Sequence, residues 1–144
     1  MADLLRINDP EGEYPRSYYA STLNLQNYLG SLQENLKCQV CIIGAGFTGL
    51  SAALSLSDLG YEAVVLEANR IGFGASGRNG GQVGSGQRWD QEKLEMHFGF
   101  KSAQIFWDLA EEAKKEVFSR IKRHKIECDY NSGVIQAALN HNDV

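Results

Sequence analysis

Gln39-Val-Cys-Ile-Ile-Gly-Ala-Gly-Phe-Thr-Gly49, continued by Leu50–Leu59 and then Glu62-Ala-Val-Val-Leu-Glu67, decides how this chain folds. Gln39 to Ile43 is a short apolar, β-branched run, of the kind that makes a strand buried on both faces of a parallel sheet. Gly44, Gly46 and Gly49 punctuate the run that follows. Leu50, Ala53, Leu54 and Ser57 then recur at helical spacing, and Gly60 is placed to stop that helix. Ala63 to Leu66 returns to strand character. Strand, glycine turn, helix, glycine stop and second strand fit within about thirty residues, the length of one βαβ unit, whose crossover is right-handed.

The expected fold class is therefore α/β, a Rossmann-like βαβ with a parallel sheet. With only two or three strands the sheet is narrow for a doubly wound fold, which reads as the incomplete first portion of a larger protein. Residues 1–36 have no sustained periodicity. They form an arm whose Tyr18, Tyr19 and Tyr28 are expected to pack rings rather than to stack nucleobases. Residues 37–144 are assigned to the nucleotide-binding domain. Beyond the βαβ, residues 67–89 are a long loop carrying Gly72, Gly74, Gly77, Gly80, Gly81, Gly84 and Gly86. A short helical piece runs from Asp90 to about Phe98, and a break falls near Gly99. A longer helix runs from Lys101 to His124, with Phe106, Leu109, Ala110, Ala113, Val117, Phe118 and Ile121 as its apolar stripe. Gly133 to Leu139 has the pattern of a last strand.

Composition narrows the function classes. The 144 residues are 43% apolar and 22% charged, too apolar for disorder. The formal net charge of −4 offers no basic field for a nucleic acid. The six cations between Lys114 and Lys125 alternate with Glu111, Glu112 and Glu116, which makes a solvated helix face. No apolar stretch approaches the roughly 20 residues of a membrane span, and the first 15 residues lack the apolar core of a secretory signal. Three cysteines, an odd number, point to cytoplasmic residence with reduced thiols. Cys38 and Cys41 fall three apart on or beside a strand, so they point to opposite faces and are expected to be small buried thiols. No metal is expected, since His97, His124 and His141 stand apart from any ligand spacing. Trp89 and Trp107 are expected in a core or at a domain interface, Trp89 close enough to the glycine loop to border a ligand.

The chemistry lies in the turn. Gly44-Ala45-Gly46-Phe47-Thr48-Gly49 follows a predicted strand, opens a predicted helix, and is followed eighteen residues later by Glu67, the context that a dinucleotide fingerprint requires. Gly44 allows the tight bend. Gly46 lacks the Cβ that would block a pyrophosphate, and Gly49 lets helix and strand lie close. The helix N-terminus holds an anionic bridge with its unpaired N–H groups and partial positive charge, without a lysine. Glu67 is placed to accept from a ribose 2′-hydroxyl and repels a 2′-phosphate. The fingerprint alone does not separate FAD from NAD. The loop Ala68-Asn69-Arg70-Ile71-Gly72-Phe73-Gly74-Ala75-Ser76-Gly77-Arg78-Asn79-Gly80-Gly81-Gln82 favours a large flat ligand, because its backbone can pass close and its Ser76, Arg78, Asn79 and Gln82 interleave donors. A flexible linker is the competing reading of the same loop.

The runs Cys41–Leu54 and Leu66–Gln82 resemble the FAD-dependent amine and amino-acid oxidases related to D-amino-acid oxidase, within them the branch acting on gamma-glutamylputrescine. Ser17-Tyr-Tyr-Ala20 and Arg123 to Gly133, with Cys128-Asp-Tyr130, are similar to that branch as well. The resemblance implies a two-domain flavoenzyme that oxidises the C–N bond of a small amine by hydride transfer to flavin, with O2 as acceptor giving H2O2. It implies FAD as cofactor, with Gly44, Gly46 and Gly49 at the pyrophosphate, Glu67 at the adenosine ribose, Arg70 near the adenine, and Ala45, Phe47, Thr48 and Ala68 also among the cofactor-binding residues. Ala75, Ser76, Gly77, Arg78, Asn79, Gly80, Gly81 and Gln82 would follow the pyrophosphate toward the isoalloxazine. No catalytic residue is assigned, and the chain alone is expected to be inactive. Two other readings stay open: a non-catalytic truncated fragment or binding module, and a nicotinamide-binding dehydrogenase domain. An exposed sheet edge leaves a homo-oligomer open too.

Overall fold

The computed structural model describes Ile7 and residues 13–24, 29–135 and 137. Two compact units divide the chain, Met1–Gly80 and Gly81–Val144.

In the first unit a single turn of helix, α1 (Tyr18–Ser21), is capped by Ser17, whose hydroxyl accepts from the Ala20 N–H. Tyr18 and Tyr19 meet edge to face at 5.8 Å between centroids; Tyr28 lies outside the described residues. The expected βαβ follows as β1 (Val40–Ile43), α2 (Phe47–Asp58) and β2 (Ala63–Leu66). The two strands pair in parallel, Val40 opposite Ala63 through Ile43 opposite Leu66, and Gly44 N–H extends the ladder to Leu66 C=O at 2.7 Å. Gly60, at φ +82°, ends α2 as expected. Tyr61 N–H bonds Leu56 C=O and Gly60 N–H bonds Ser57 C=O, a Schellman arrangement that satisfies carbonyls the helix would otherwise leave open.

The sheet departs from expectation in its burial. Only the face carrying Val40 and Ile42 is covered by α2; Cys41 is exposed and Ile43 is 80% exposed on the other. β1 is thus not buried on both faces among the described residues. The thiol expectation falls with it: Cys41 and Cys128 are exposed and Cys38 is half-buried. A run of β-branched residues reports fitness for a pleated surface, and it carries no information on how many faces are covered.

The second unit is an αα pair, α3 (Gln91–Phe98) and α4 (Phe100–His124). Asp90 caps α3 through the Lys93 N–H at 2.9 Å, and hydrogen bonds from the Lys93 ammonium and amide hold the Asp90 carboxyl below the ordinary aspartate range. Gly99 makes the break between the helices at φ 76°, ψ 156°, a conformation essentially reserved for glycine. Leu94 and Ala103 are buried between the helices, with Phe98 and Phe106 edge to face at 5.5 Å. The expected stripe on α4 is only partly covered, since Leu109 and Val117 are exposed. α4 ends at Lys125, which takes the left-handed conformation (φ 52°, ψ 47°), with Ile126 N–H on Ile121 C=O and Lys125 N–H on Lys122 C=O. Lys122, Arg123 and His124 place positive charge at that C-terminus.

Trp89 and Trp107 are exposed rather than core residues. Trp89 lies on His97 at 4.9 Å, and Trp107 packs beside Gly86. The strand expected at Gly133–Leu139 is absent over 133–135 and at 137; Gln136, Ala138 and Leu139 lie outside the described residues. Among the described residues no helix is long and apolar enough to cross a membrane.

Candidate functional site

The site begins where β1 ends. Gly44 turns the chain at φ +100°, Ala45 is 2% exposed, and Gly46, extended at φ −90°, ψ −174°, caps α2. Gly49 sits on the first turn of α2, where an added Cβ would collide with the Gly44 carbonyl oxygen and press on Ile42 Cγ2 at 3.3 Å. This is the close strand–helix approach expected of the third glycine. No other residue fits there without moving backbone.

The two glycine-rich bends are knitted together. Gly72 N–H donates to Ala45 C=O at 2.9 Å, and the Phe47 N–H donates to Ser76 Oγ at 2.9 Å. Ser76 belongs to a single 3₁₀ turn, Ala75–Gly77, closed so tightly that a Cβ on Gly77 would collide with the Gly72 carbonyl oxygen. A Cβ on Gly46 would come 2.8 Å from Ser76 Oγ. Its absence gives the serine hydroxyl access to the helix N-terminus.

Glu67 joins the same cluster. Its carboxylate accepts from Ala45 N–H at 2.8 Å and from Asn69 N–H at 2.9 Å. These bonds use two of the roughly four acceptor positions of an ionised carboxylate, so the group that braces the first bend retains capacity to accept a ribose hydroxyl. Ala68 is exposed beside it. Arg70 stacks its guanidinium over the Tyr14 ring at 5.5 Å. Arg78 is turned back on its own loop, its Nε–H donating to Phe73 C=O at 2.9 Å and its guanidinium 4.7 Å from the Phe73 ring. Asn79 Nδ2 donates to Ser76 C=O at 2.8 Å and Ala75 C=O at 3.2 Å, bracing the turn.

The structure therefore brings together, within the first unit, the expected residues 44–49, Glu67, Ala68, Arg70 and 75–79. Gly80 ends that unit; Gly81 and Gln82 belong to the second. The rest of the glycine loop is held to α4: Gln87 Nε2 donates to Phe106 C=O at 2.9 Å, and Ser85 and Glu111 both meet the Lys114 ammonium. Hydrogen bonds to the Glu111 carboxylate, from Lys114 first and from Ser85 second, hold it below its ordinary range. Spacing alone does not disclose the Gly72–Ala45 bond or Tyr14, because each joins residues that only the folded loop brings close.

The arrangement suits a diphosphate. Phe47 N–H is engaged by Ser76, but Thr48 and Gly49 N–H have no acceptor among the described residues, and no acidic residue stands in the first turn of α2 to neutralise its dipole. Ser76, having accepted from Phe47, keeps its own O–H to donate. The space outside Gly44 and Gly74 is open to at least 4 Å from an added Cβ. No group of His, Cys, Asp and Glu among the described residues could hold a metal ion.

The model of a family described as FAD dependent oxidoreductase matches residues 39–144. The chain is 43% identical over 128 residues to "Gamma-glutamylputrescine oxidoreductase" of Escherichia coli, covering 89% of this chain and 30% of that protein. It is 39% identical over 134 residues to "Probable oxidoreductase OrdL" of Haemophilus influenzae, covering 93% and 31% respectively. A protein of the same name from Rhizobium meliloti is 38% identical over 125 residues, covering 87% and 29%. The chain thus spans about 30% of the length of these relatives. No solved structure matches it.

Proposed function

This chain belongs to the FAD dependent oxidoreductase family, and from that premise we propose that it is the adenosine-diphosphate-binding portion of an enzyme oxidising the C–N bond of a gamma-glutamylputrescine-like amine. The observation that carries the cofactor assignment is the joined bend. One serine and one amide from the second glycine run meet the fingerprint turn, and Thr48 and Gly49 N–H stay open for phosphate oxygens. The amine substrate is supported by the name of the Escherichia coli relative.

In this reading Thr48 and Gly49 N–H and the Ser76 hydroxyl hold the diphosphate, with the α2 dipole favouring its charge. Glu67 accepts from the adenosine ribose while it keeps Ala45 in place. Arg70 closes the adenine end. Gly80, Gly81 and Gln82 carry the chain onward toward the flavin ring. When bound, FAD supplies the chemistry of accepting a hydride from a C–N bond, with O2 as final acceptor giving H2O2; this chain's residues bind and orient it. The residues named here bind and orient the cofactor; substrate contacts and catalytic groups are assigned to none of them.

The test is to purify the protein as its gene encodes it, record its visible spectrum, and supply gamma-glutamylputrescine under air. A yellow protein that releases FAD on denaturation and forms peroxide with that amine is expected. A colourless protein that titrates with NADH and not with FAD would overturn the cofactor; a yellow one inert to the amine would overturn the substrate.

A further inference from the structure

One aromatic residue of the arm is tied to the site by a route that the nucleotide fingerprint does not contain. The Tyr14 hydroxyl donates to Ile71 C=O at 3.1 Å. Ile71 C=O and Gly72 N–H are the two ends of one planar peptide unit, and Gly72 N–H donates in turn to Ala45 C=O at 2.9 Å. A single peptide is therefore held from both sides, by the arm at its oxygen and by the fingerprint turn at its nitrogen. Bonds in such a chain polarise and strengthen each other. The Tyr14 ring makes a second contact nearby, under the Arg70 guanidinium at 5.5 Å. Arg70 and Tyr14 also line, with Arg16, Ser17 and Tyr18, an open depression of about 670 Å³.

We infer that Tyr14 is a positioning residue for the adenosine end of the site: it sets the Glu67–Gly72 segment against the 44–49 turn and orients Arg70 over its ring. Without it, the Ile71 carbonyl loses its partner on the arm, and the segment is held to the turn by Gly72 N–H on Ala45 C=O, Ala45 N–H on Glu67 and Phe47 N–H on Ser76. The segment then samples arrangements in which Glu67 and Arg70 are misplaced, and nucleotide affinity falls by the fraction of time spent in them. The inference rests on the reading of Glu67 as the ribose ligand. Tyr14 touches no reacting group, so its effect is on binding.

The experiment measures dissociation constants of FAD and ADP for the gene-encoded protein, stripped of flavin, in four forms: wild type, Tyr14→Phe, Tyr14→Ala and Glu67→Gln. Melting temperature and hydrogen exchange at Gly72 are measured alongside. Tyr14→Ala is expected to weaken FAD and ADP alike by about tenfold, the sum of one hydrogen bond and one cation–π contact, and to speed exchange of the Gly72 amide. Tyr14→Phe, which keeps the ring under Arg70, is expected to recover about half of the loss on a logarithmic scale with an unchanged melting temperature. Wild-type affinity for both nucleotides in Tyr14→Ala would overturn the inference while leaving the site reading intact. An unaltered affinity in Glu67→Gln would instead overturn the ribose assignment, and this inference with it. If Tyr14→Ala unfolds, Tyr14→Phe decides: a loss of two- to fourfold supports the role and none refutes it.

Discussion

The glycine-rich bends and the end of α4 meet unusual backbone demands in different ways. At the joined bends the residues are glycine because atoms stand where a Cβ would go: Gly44 carbonyl above Gly49, Ser76 Oγ beside Gly46, Gly72 carbonyl above Gly77. At the end of α4 the left-handed position is occupied by Lys125, at φ 52°, with the same pair of capping bonds that Gly60 makes at the end of α2. There the helix tolerates a side chain at a cost of about 1 kcal/mol. The contrast separates glycine required by close approach from glycine preferred by conformation. The first kind marks a place where the chain's own atoms come near the backbone.

Substitutions sharpen that distinction. Gly49→Ala carries the largest expected effect. The methyl meets backbone on one side and Ile42 on the other, so α2 must lift from β1, with a loss of about 3 kcal/mol in denaturant unfolding and of nucleotide binding. A stable variant that binds FAD normally would erase the distinction. Ser76→Ala comes next: it removes the acceptor from Phe47 N–H and is expected to cost about 1 kcal/mol, as the loss of a helix cap does, together with a weaker hold on ADP in calorimetry. Lys125→Gly should move the other way, raising stability by about 0.5–1 kcal/mol because the left-handed strain is relieved; a loss there would mean that the lysine makes contacts worth more than its strain.

The smallest effect is a pH dependence. The Asp90 carboxyl is held below its ordinary range by Lys93, so its cap stabilises α3 fully above the ordinary aspartate value and loses that contribution as pH falls through the depressed one. The Lys93 amide resonance, followed from neutral to acid pH, should move at a midpoint below the ordinary aspartate value, and an unshifted midpoint would contradict the cap.

Much of this was legible in the pattern of residues. The order β1, α2, β2, the stop at Gly60, the break at Gly99 and the extent of α4 all follow from local periodicity and from turn residues whose backbone demands are met within a few positions. The site was legible in part: Gly44 to Gly49 and Glu67 announce themselves by spacing. Their partners do not. Ser76 lies 29 residues from Phe47 and Tyr14 lies 57 from Ile71, and nothing periodic connects them. Burial departs from the sequence expectation for a related reason. Apolar character told which segments form strands, while the exposure of Ile43, Cys41 and Trp89 depends on what covers each face, a property of the whole assembly of elements.

The central claim is that the amides of the fingerprint turn face a diphosphate. It is tested most directly by titrating ADP into isotopically labelled protein and following backbone amide resonances. Saturable shifts are expected at Ala45, Thr48, Gly49 and Ser76. Unchanged resonances at Thr48 and Gly49 at saturating ADP, or shifts confined to α4, would contradict it.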